Sequence, residues 1–254
     1  MRKTMMVTGL VAALALAGCK TMDTGNLGGL MESGSTAMKA MTLTDGDVVA
    51  LSNESCAALD QQNKLAPANN KYSQRLAKVV ANMPQEVEGK KADYKVYLTS
   101  DVNAWAMANG CIRVYSGLMD LMNDDELRGV IGHEIGHVAL GHSKRRMQTA
   151  YATSAARQIA ANSGNATLAS LSSSQAGELG EKFIHAQFSQ ANESAADNYS
   201  FDLLTKQKME RKGLVTAFQK LAKLSGGGGN SLMDSHPPSD ARAKAMQARL
   251  DSGK

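Results

Sequence analysis

Hydrophobic positions recur at helical spacing over most of the chain after residue 45. Apolar residues three or four apart predict helices over about Asp47–Leu59, Tyr72–Met83, Asp124–His142, Leu214–Leu224 and Asp240–Leu250. The same spacing over Leu179–Leu204 predicts either one long helix or two helices in line. Aromatic residues make up only 4% of the chain, which also favours helices over a large sheet.

A short region between the second and third helices changes to a period of two. Apolar and more polar side chains alternate over residues 94–99, and Asn103–Ala108 and Cys111–Tyr115 are two further extended segments. Asn109-Gly110, between the last two, is typical of a two-residue hairpin turn. We therefore predict an α+β fold, mostly α, with a small antiparallel sheet beside the third helix.

The third helix carries the pattern HExxH, formed by His133, Glu134 and His137. Residues four apart share a helix face, so the two imidazoles can bind one Zn²⁺ while Glu134 handles a water molecule. A third ligand must come from elsewhere in the chain. His142 is rotated well away from that face, and we interpret it as a residue near the helix C-terminus that interacts favourably with the helix dipole.

A pair of carboxylates downstream can complete such a site. Glu193 and Asp197 are four residues apart on a predicted helix and share one face. One carboxylate can bind the metal, and the other can accept the N–H of a metal-bound histidine and fix its orientation. The alternative is that both are solvated on an exposed helix.

The N-terminus reads as a targeting segment that is not part of the fold. Two basic residues precede an apolar run, Met5–Ala17, that is too short to span a bilayer and is typical of a secretory signal. The run ends in Leu-Ala-Gly-Cys, which resembles a bacterial lipobox with Cys19 as the lipidated residue; the alternative is an ordinary signal with a chance cysteine. We predict a lipoprotein signal peptide over 1–18, a lipidated flexible tether over 19–44 and a folded domain over 45–254.

The two remaining cysteines agree with an oxidising compartment, and the charge bears on nucleic-acid binding. Cys56 and Cys111 form an even pair, which in an oxidising compartment predicts one disulfide between an early helix and a central strand; the alternative is two buried free thiols. Lys and Arg number 28 against 24 Asp and Glu, and the two signs are interspersed without a basic block. This charge pattern argues against a nucleic-acid partner.

Several motifs together resemble one family of zinc peptidases. HEIGH, a helical E-x-x-x-D about sixty residues later, and S-H-P-P with Arg242 six residues after its His resemble the gluzincins that include HtpX and the CAAX-prenyl endopeptidases. The segments NAWAMANGCIRVYSGLM, HEIGHVALGH and QFSQ are more similar still to the soluble bacterial lipoprotein members, the LoiP type. The resemblance extends from about Asp45 to about Leu250.

Membership of that family implies a zincin-like core, a catalytic domain over 45–254 and one Zn²⁺ per chain. The implied zinc ligands are His133, His137 and Glu193. By the same resemblance Glu134 is the general base and Asp197 the partner of a ligand histidine. His236 would lie near the metal, either binding it in a closed resting state or helping to stabilise the oxyanion, and Arg242 would support that side of the cleft.

The resemblance also implies where a substrate lies and what it is. Asn103, Ala104, Trp105 and Ala106 resemble the edge strand with which HExxH peptidases hold an extended peptide; for the Trp105 side chain the alternative is core packing. The implied function is a metalloendopeptidase, lipid-anchored at the bacterial outer membrane and facing the periplasm. It would cut misfolded or unassembled envelope proteins, beside other envelope quality-control proteins. The alternative is a zinc-binding chaperone or assembly factor for outer-membrane proteins with a shut protease site.

Overall fold

The computed structural model describes residues 43–161, 171–224, 232, 235–236 and 240–253. The predicted signal peptide, Cys19 and most of the tether lie outside the described residues. The helices are α1 (Asp45–Gln62), α2 (Lys71–Val79), α3 (Ser116–Leu121), α4 (Asp124–Ala139), α5 (His142–Ala161), α6 (Ser173–His185), α7 (Gln190–Lys206), α8 (Lys212–Leu224) and α9 (Asp240–Asp251). None of the helices in these ranges is long and apolar enough to cross a membrane.

In the part of the chain that the structure describes, five short strands accompany the helices, so the predicted class, α+β and mostly α, is confirmed. The strands are β1 (Glu86–Val87), β2 (Lys90–Lys91), β3 (Asp93–Tyr97), β4 (Ala104–Ala106) and β5 (Cys111–Tyr115). The first two form a separate antiparallel pair, and the others form a sheet in the order β3-β5-β4.

The three-stranded sheet is mixed, and the prediction of an antiparallel sheet is wrong for one of its two pairings. β4 and β5 form the expected antiparallel hairpin, turning at Gly110 with a φ of 85°, but β3 runs parallel to β5. The chain crosses from β3 to the far side of the sheet before the hairpin begins, and β5 then returns between the other two strands. Alternation along the sequence identifies strands but carries no information about this spatial order.

Helix α4, which carries HExxH, begins and ends at defined positions. Its N-cap is Asn123, directly before Asp124, the first residue of the predicted helix. The Asn123 side chain accepts the backbone N–H of Glu126, whose carboxylate accepts the N–H of Asn123. The helix ends at Ala139, and Gly141 takes a φ of 68°, which reverses the chain. His142 therefore starts α5, and its interpretation as a helix C-terminal residue is wrong.

The helix α4 is the centre of the fold, packed against α5, α7, α8 and strand β4. Glycines allow two of these neighbours to approach its backbone. A Cβ at Gly132 would lie 2.6 Å from Ser200 Oγ on α7, and one at Gly129 would lie 2.7 Å from Leu214 Cα on α8. The Ser200 hydroxyl also donates to the Gly129 carbonyl at 2.8 Å. This close packing brings the carboxylates of α7 to the histidines of α4.

The region Leu179–Leu204 forms two helices, α6 and α7, rather than one. α6 ends at His185, and Ser189 caps α7 by accepting the N–H of Asn192. Helix α6 packs on α1, whereas α7 packs on α4. The break between them gives α7 its own direction, with Glu193 and Asp197 both buried against α4.

A disulfide joins Cys56 of α1 to Cys111 of β5, which confirms the predicted pairing. Beside it lies Arg113, whose side chain is fully buried. Its Nε and Nη2 donate to the two carboxylate oxygens of Asp60 on α1, each at 2.8 Å. A covalent bond and a buried ion pair thus fix α1 to the central strand of the sheet, next to the edge strand β4.

Candidate metal centre

Four donor groups from three segments of the chain converge at one point. The Nε2 atoms of His133 and His137 on α4 are 3.0 Å apart, and Glu193 Oε1 on α7 lies 3.2 Å from His137 Nε2. His236 Nδ1 lies 3.0 Å from Glu193 Oε1 and 3.2 Å from His133 Nε2. All four residues are buried, and their ligand atoms lie within 4.8 Å of one another.

The spacing of these donors fits a bound divalent cation. Zinc bonds to nitrogen and oxygen of about 2.0–2.2 Å, in tetrahedral directions, place neighbouring donors roughly 3.3–3.6 Å apart. The close contacts between these donors run from 3.0 to 3.5 Å, at or slightly below that spacing. Lone pairs held this close in a buried place repel one another unless a proton or a metal cation lies between them. Two or three imidazoles with one carboxylate are a usual zinc donor set.

A second layer of contacts holds two of the donors in place. His133 Nδ1 lies 2.8 Å from Asp197 Oδ1, so its N–H points at that carboxylate and its Nε2 faces the cluster. Arg242 Nε and Nη2 donate to the two oxygens of Asp197, each at 2.7 Å, and Arg242 Nη1 donates to Glu193 Oε2 at 2.6 Å. All three donor nitrogens of Arg242 therefore hold carboxylates of the site.

The electrostatics of the cluster keep its carboxylates ionised. Burial alone would raise the pKa of Glu193, but His236, His133 and the hydrogen bond with His137 outweigh it and hold the pKa far below the usual range. Burial also opposes ionisation of Asp197, and bonds from Arg242 and His133 lower its pKa in spite of that. An ionised carboxylate is the form that binds a metal or accepts a histidine N–H.

Glu134 stands beside the four converging donors and is not one of them. Its side chain is 2% exposed, and its Oε1 lies 3.5 Å from His236 Nε2. Burial raises the pKa of Glu134, and the nearby His236 and His133 only partly oppose that rise. A carboxylate beside a metal site that is not itself a ligand can accept a proton and later release it.

The predicted substrate strand is an edge strand that packs against α4. The Trp105 side chain is buried in the core, with its ring 6.0 Å from that of Tyr97, as in the core-packing alternative. The backbone is a separate matter. Tyr115 N–H donates to Asn103 O, so in this antiparallel pair residues 103 and 105 bond toward β5, and the N–H and C=O of Ala104 and Ala106 point away from it.

Two of the four outward-pointing groups of β4 already have partners. The Asn103 side-chain oxygen accepts Ala104 N–H at 2.9 Å, and the Ser143 hydroxyl donates to Ala106 O at 2.9 Å. Within the described ranges, no hydrogen bond reaches the Ala104 carbonyl or the Ala106 N–H. One acceptor and one donor, two residues apart, therefore lack a partner among the described residues, at a strand edge where Ala104 is 1% and Ala106 is 2% exposed.

Three residues that sequence reasoning did not assign to the site lie around His137. His142 Nδ1 is 3.0 Å from His137 Nδ1. The Phe188 ring stacks on the His137 ring with centroids 3.8 Å apart and planes within 13°, and Arg146 Cζ lies 4.2 Å from the Phe188 centroid. Arg146 and His142 are four apart on α5, and Gly141 before them marks the end of the preceding helix. The i, i+4 spacing of His142 and Arg146 and the glycine before them are the sequence features that indicate this arrangement.

Comparison with known proteins identifies the class of this site. The sequence model of Peptidase family M48 matches residues 67–250. The chain belongs to peptidase family M48. It is 48% identical over 256 residues to Metalloprotease YcaL of Escherichia coli K12, covering all of both chains, and 47% identical over 247 residues to Metalloprotease LoiP of the same organism, covering 97% of this chain and 96% of the relative.

More distant M48 members are also similar. Protease HtpX of Mannheimia succiniciproducens is 27% identical over 246 residues, which cover 83% of this chain and 86% of that protein. The resemblance drawn from the motifs is thereby confirmed, and the M48 chain described here is a metalloprotease-type hydrolase acting on peptide bonds. Its four buried donors can hold a divalent metal ion.

Proposed function

We propose that the chain is a zinc-dependent metalloendopeptidase of the bacterial cell envelope that hydrolyses misfolded or unassembled envelope proteins. The observation that carries this proposal is that the donor atoms of His133, His137 and Glu193 lie close enough together to bind one metal ion. The carboxylate of Glu134, which is not one of these donors, lies beside them. Three protein ligands and a neighbouring base are the composition of a hydrolytic zinc site, whereas structural zinc sites close with four Cys or His ligands.

The chain's own residues have distinct tasks in this reaction. A zinc ion bound by the three ligands supplies an acidified water and polarises the scissile carbonyl. Glu134 accepts the proton of the attacking water and passes it to the leaving amine, for which its raised pKa is suitable. Asp197 keeps His133 in the tautomer that presents Nε2, and Arg242 fixes Asp197 and Glu193 relative to each other.

The substrate would lie along the outer edge of β4. The Ala104 carbonyl and the Ala106 N–H provide one acceptor and one donor for an extended backbone. The Ala104 N–H and the Ala106 carbonyl are already bound by the Asn103 side chain and the Ser143 hydroxyl. Recognition through main-chain groups does not depend on side chains of the substrate. This suits an enzyme whose substrates share an exposed, extended chain rather than a sequence.

His236 is proposed as a fourth ligand that closes the site at rest. Its Nδ1 lies 3.0 Å from Glu193 Oε1 and 3.2 Å from His133 Nε2, so it belongs to the same cluster of donor atoms. His133, His137, Glu193 and His236 would together hold the metal at rest, and His236 would leave the donor cluster to give a water molecule its place during hydrolysis. In the cluster its Nε2 lies 3.5 Å from Glu134 Oε1, and we propose that the displaced imidazole helps to stabilise the oxyanion.

The envelope location rests on the N-terminal sequence and on the name LoiP of one relative, a metalloprotease. We expect Cys19 to be lipidated and the protein to sediment with outer membranes when bacteria are fractionated. The Cys19→Ala variant should appear in the soluble periplasmic fraction and keep its peptidase activity after purification. Equal membrane recovery of both proteins would contradict the lipid anchor without touching the enzyme assignment.

Metal removal tests the chemistry directly. The purified protein should contain one Zn²⁺ per chain and should cleave an unfolded protein such as reduced casein. Dialysis against a chelator should abolish cleavage, and one equivalent of Zn²⁺ should restore it, because the buried ligands bind but do not themselves hydrolyse. A metal-free protein that cleaves at the same rate would exclude the proposed mechanism.

A further inference from the structure

The second ligand histidine has a hydrogen-bond partner that the zinc site proper does not explain. His137 directs Nε2 into the donor cluster, and its other ring nitrogen, Nδ1, lies 3.0 Å from His142 Nδ1. His142 is 5% exposed and belongs to the first turn of α5, just after the reversal at Gly141. Both facing atoms are ring nitrogens, so one carries a hydrogen and the other a lone pair.

The metal decides which of the two carries the hydrogen. A neutral imidazole has one N–H, and the nitrogen that binds a cation must be bare. His137 Nε2 faces the cluster and is bare in the metal-binding form, so its hydrogen is on Nδ1. That N–H then needs an acceptor in a buried place, and His142 Nδ1 is the atom within reach.

We propose that His142 is a positioning residue for the metal: its bare Nδ1 accepts the Nδ1–H of His137 and fixes the tautomer and aim of that ligand. This inference rests on the proposed zinc ligation. In this arrangement the two ligand histidines of α4 have hydrogen-bond partners of different chemical type. Asp197, a carboxylate from α7, orients His133, and His142, a neutral imidazole from α5, orients His137.

The rest of α5 supports this role. Arg146 is one helical turn after His142 and so lies on the same side of α5. Its guanidinium stacks on Phe188, and Phe188 in turn stacks on the face of the His137 ring. Arg146 is itself anchored by donating to the Ile184 carbonyl at 2.7 Å. One side of α5 therefore holds His137 both at its nitrogen and, through Phe188, at its ring face.

His142 is not a further metal ligand in this arrangement. Its Nδ1 is used by His137, and among the described residues the group of converging donors comprises His133, His137, Glu193 and His236. Its effect on the metal therefore passes through His137. Loss of partners in this outer layer typically weakens metal binding by about 10–100-fold.

A pair of amide substitutions separates this role from general packing. In His142→Asn the side-chain oxygen falls where Nδ1 was, whereas in His142→Gln the amide lies one bond further out. We expect the zinc dissociation constant, measured by competition with a chromophoric chelator, to stay within about threefold of wild type for Asn. For Gln and for His142→Leu it should rise by about 10–100-fold. The visible spectrum of the Co²⁺-substituted protein should shift in the same two variants.

Controls for the His142 variants distinguish an effect on the metal from an effect on packing. The same Leu substitution at His185, 57% exposed on α6, should leave zinc affinity unchanged. Thermal unfolding of the metal-free variants reports packing alone, and Asn and Gln should agree there. Equal zinc affinity of the Asn and Gln variants, whether both weak or both like wild type, would overturn the inference even if His142→Leu fails to fold. A wild-type chain without zinc affinity would instead overturn the proposed function.

Discussion

Replacing Glu134 with Gln should reduce the hydrolysis of an unfolded protein by at least about 10²–10⁴-fold, because the amide cannot accept a proton from the attacking water. The change keeps the size and shape of a buried side chain that lies beside the four converging donors. Zinc content should therefore stay at one per chain. Peptide cleavage followed by mass spectrometry, with metal analysis of the same sample, measures both quantities.

The matched control is Glu181→Gln on α6, where the carboxylate is half exposed and pairs with His185. It should cleave at the wild-type rate. Undiminished cleavage by Glu134→Gln would show that another group acts as the base and would contradict the proposed mechanism. If Glu134→Gln restores an envelope-stressed deletion strain while His137→Ala does not, the chaperone alternative with a shut site gains over the protease.

Breaking the disulfide should lower the free energy of unfolding by about 4 kcal/mol. The bridge between Cys56 and Cys111 closes a loop with a sequence separation of 55 residues, and the loop-entropy estimate for that length gives this value. Urea unfolding of the double variant Cys56→Ala/Cys111→Ala against wild type measures it. Both sulfurs are buried beside Arg113, so loss of packing adds to the entropic effect.

Reductant supplies the internal control for this stability measurement. Dithiothreitol should destabilise the wild-type protein nearly to the level of the double variant and leave the double variant unchanged. The Cys19→Ala variant, whose substitution lies in the predicted tether, should unfold like wild type in both conditions. If reductant changes nothing in wild type, the two cysteines are not bonded in the protein as isolated.

The parts of the fold that were predictable are those that a single element specifies. His133 and His137 are four residues apart on one helix, and so are Glu193 and Asp197. The sequence therefore predicts that each pair shares one helix face. That the two pairs face each other depends on contacts between α4 and α7, which periodicity does not encode. The family resemblance supplied that link, and with it the expected places of His236 and Arg242.

The parts that were not predictable depend on how elements follow one another in space. β3 lies parallel to β5 because the chain crosses the sheet before the hairpin, and alternation is the same for either order. The prediction that His142 is not a ligand follows from its angle on a continuous helix. The helix is not continuous, however, because Gly141 at positive φ turns the chain back and brings His142 against His137. A glycine just after an apolar helical run is a sequence signal for such an ending.

The edge of β4 has a consequence for how fast different proteins are degraded. In the proposed binding mode, a chain pairs with the Ala104 carbonyl and Ala106 N–H only where its own backbone is released from its native partners. A segment protected by about 5 kcal/mol is open in roughly one molecule in 5,000. The opening free energies of the substrates then set the order in which proteins are cut. The cleavage rate of each substrate reports the local stability of the segment that is cleaved.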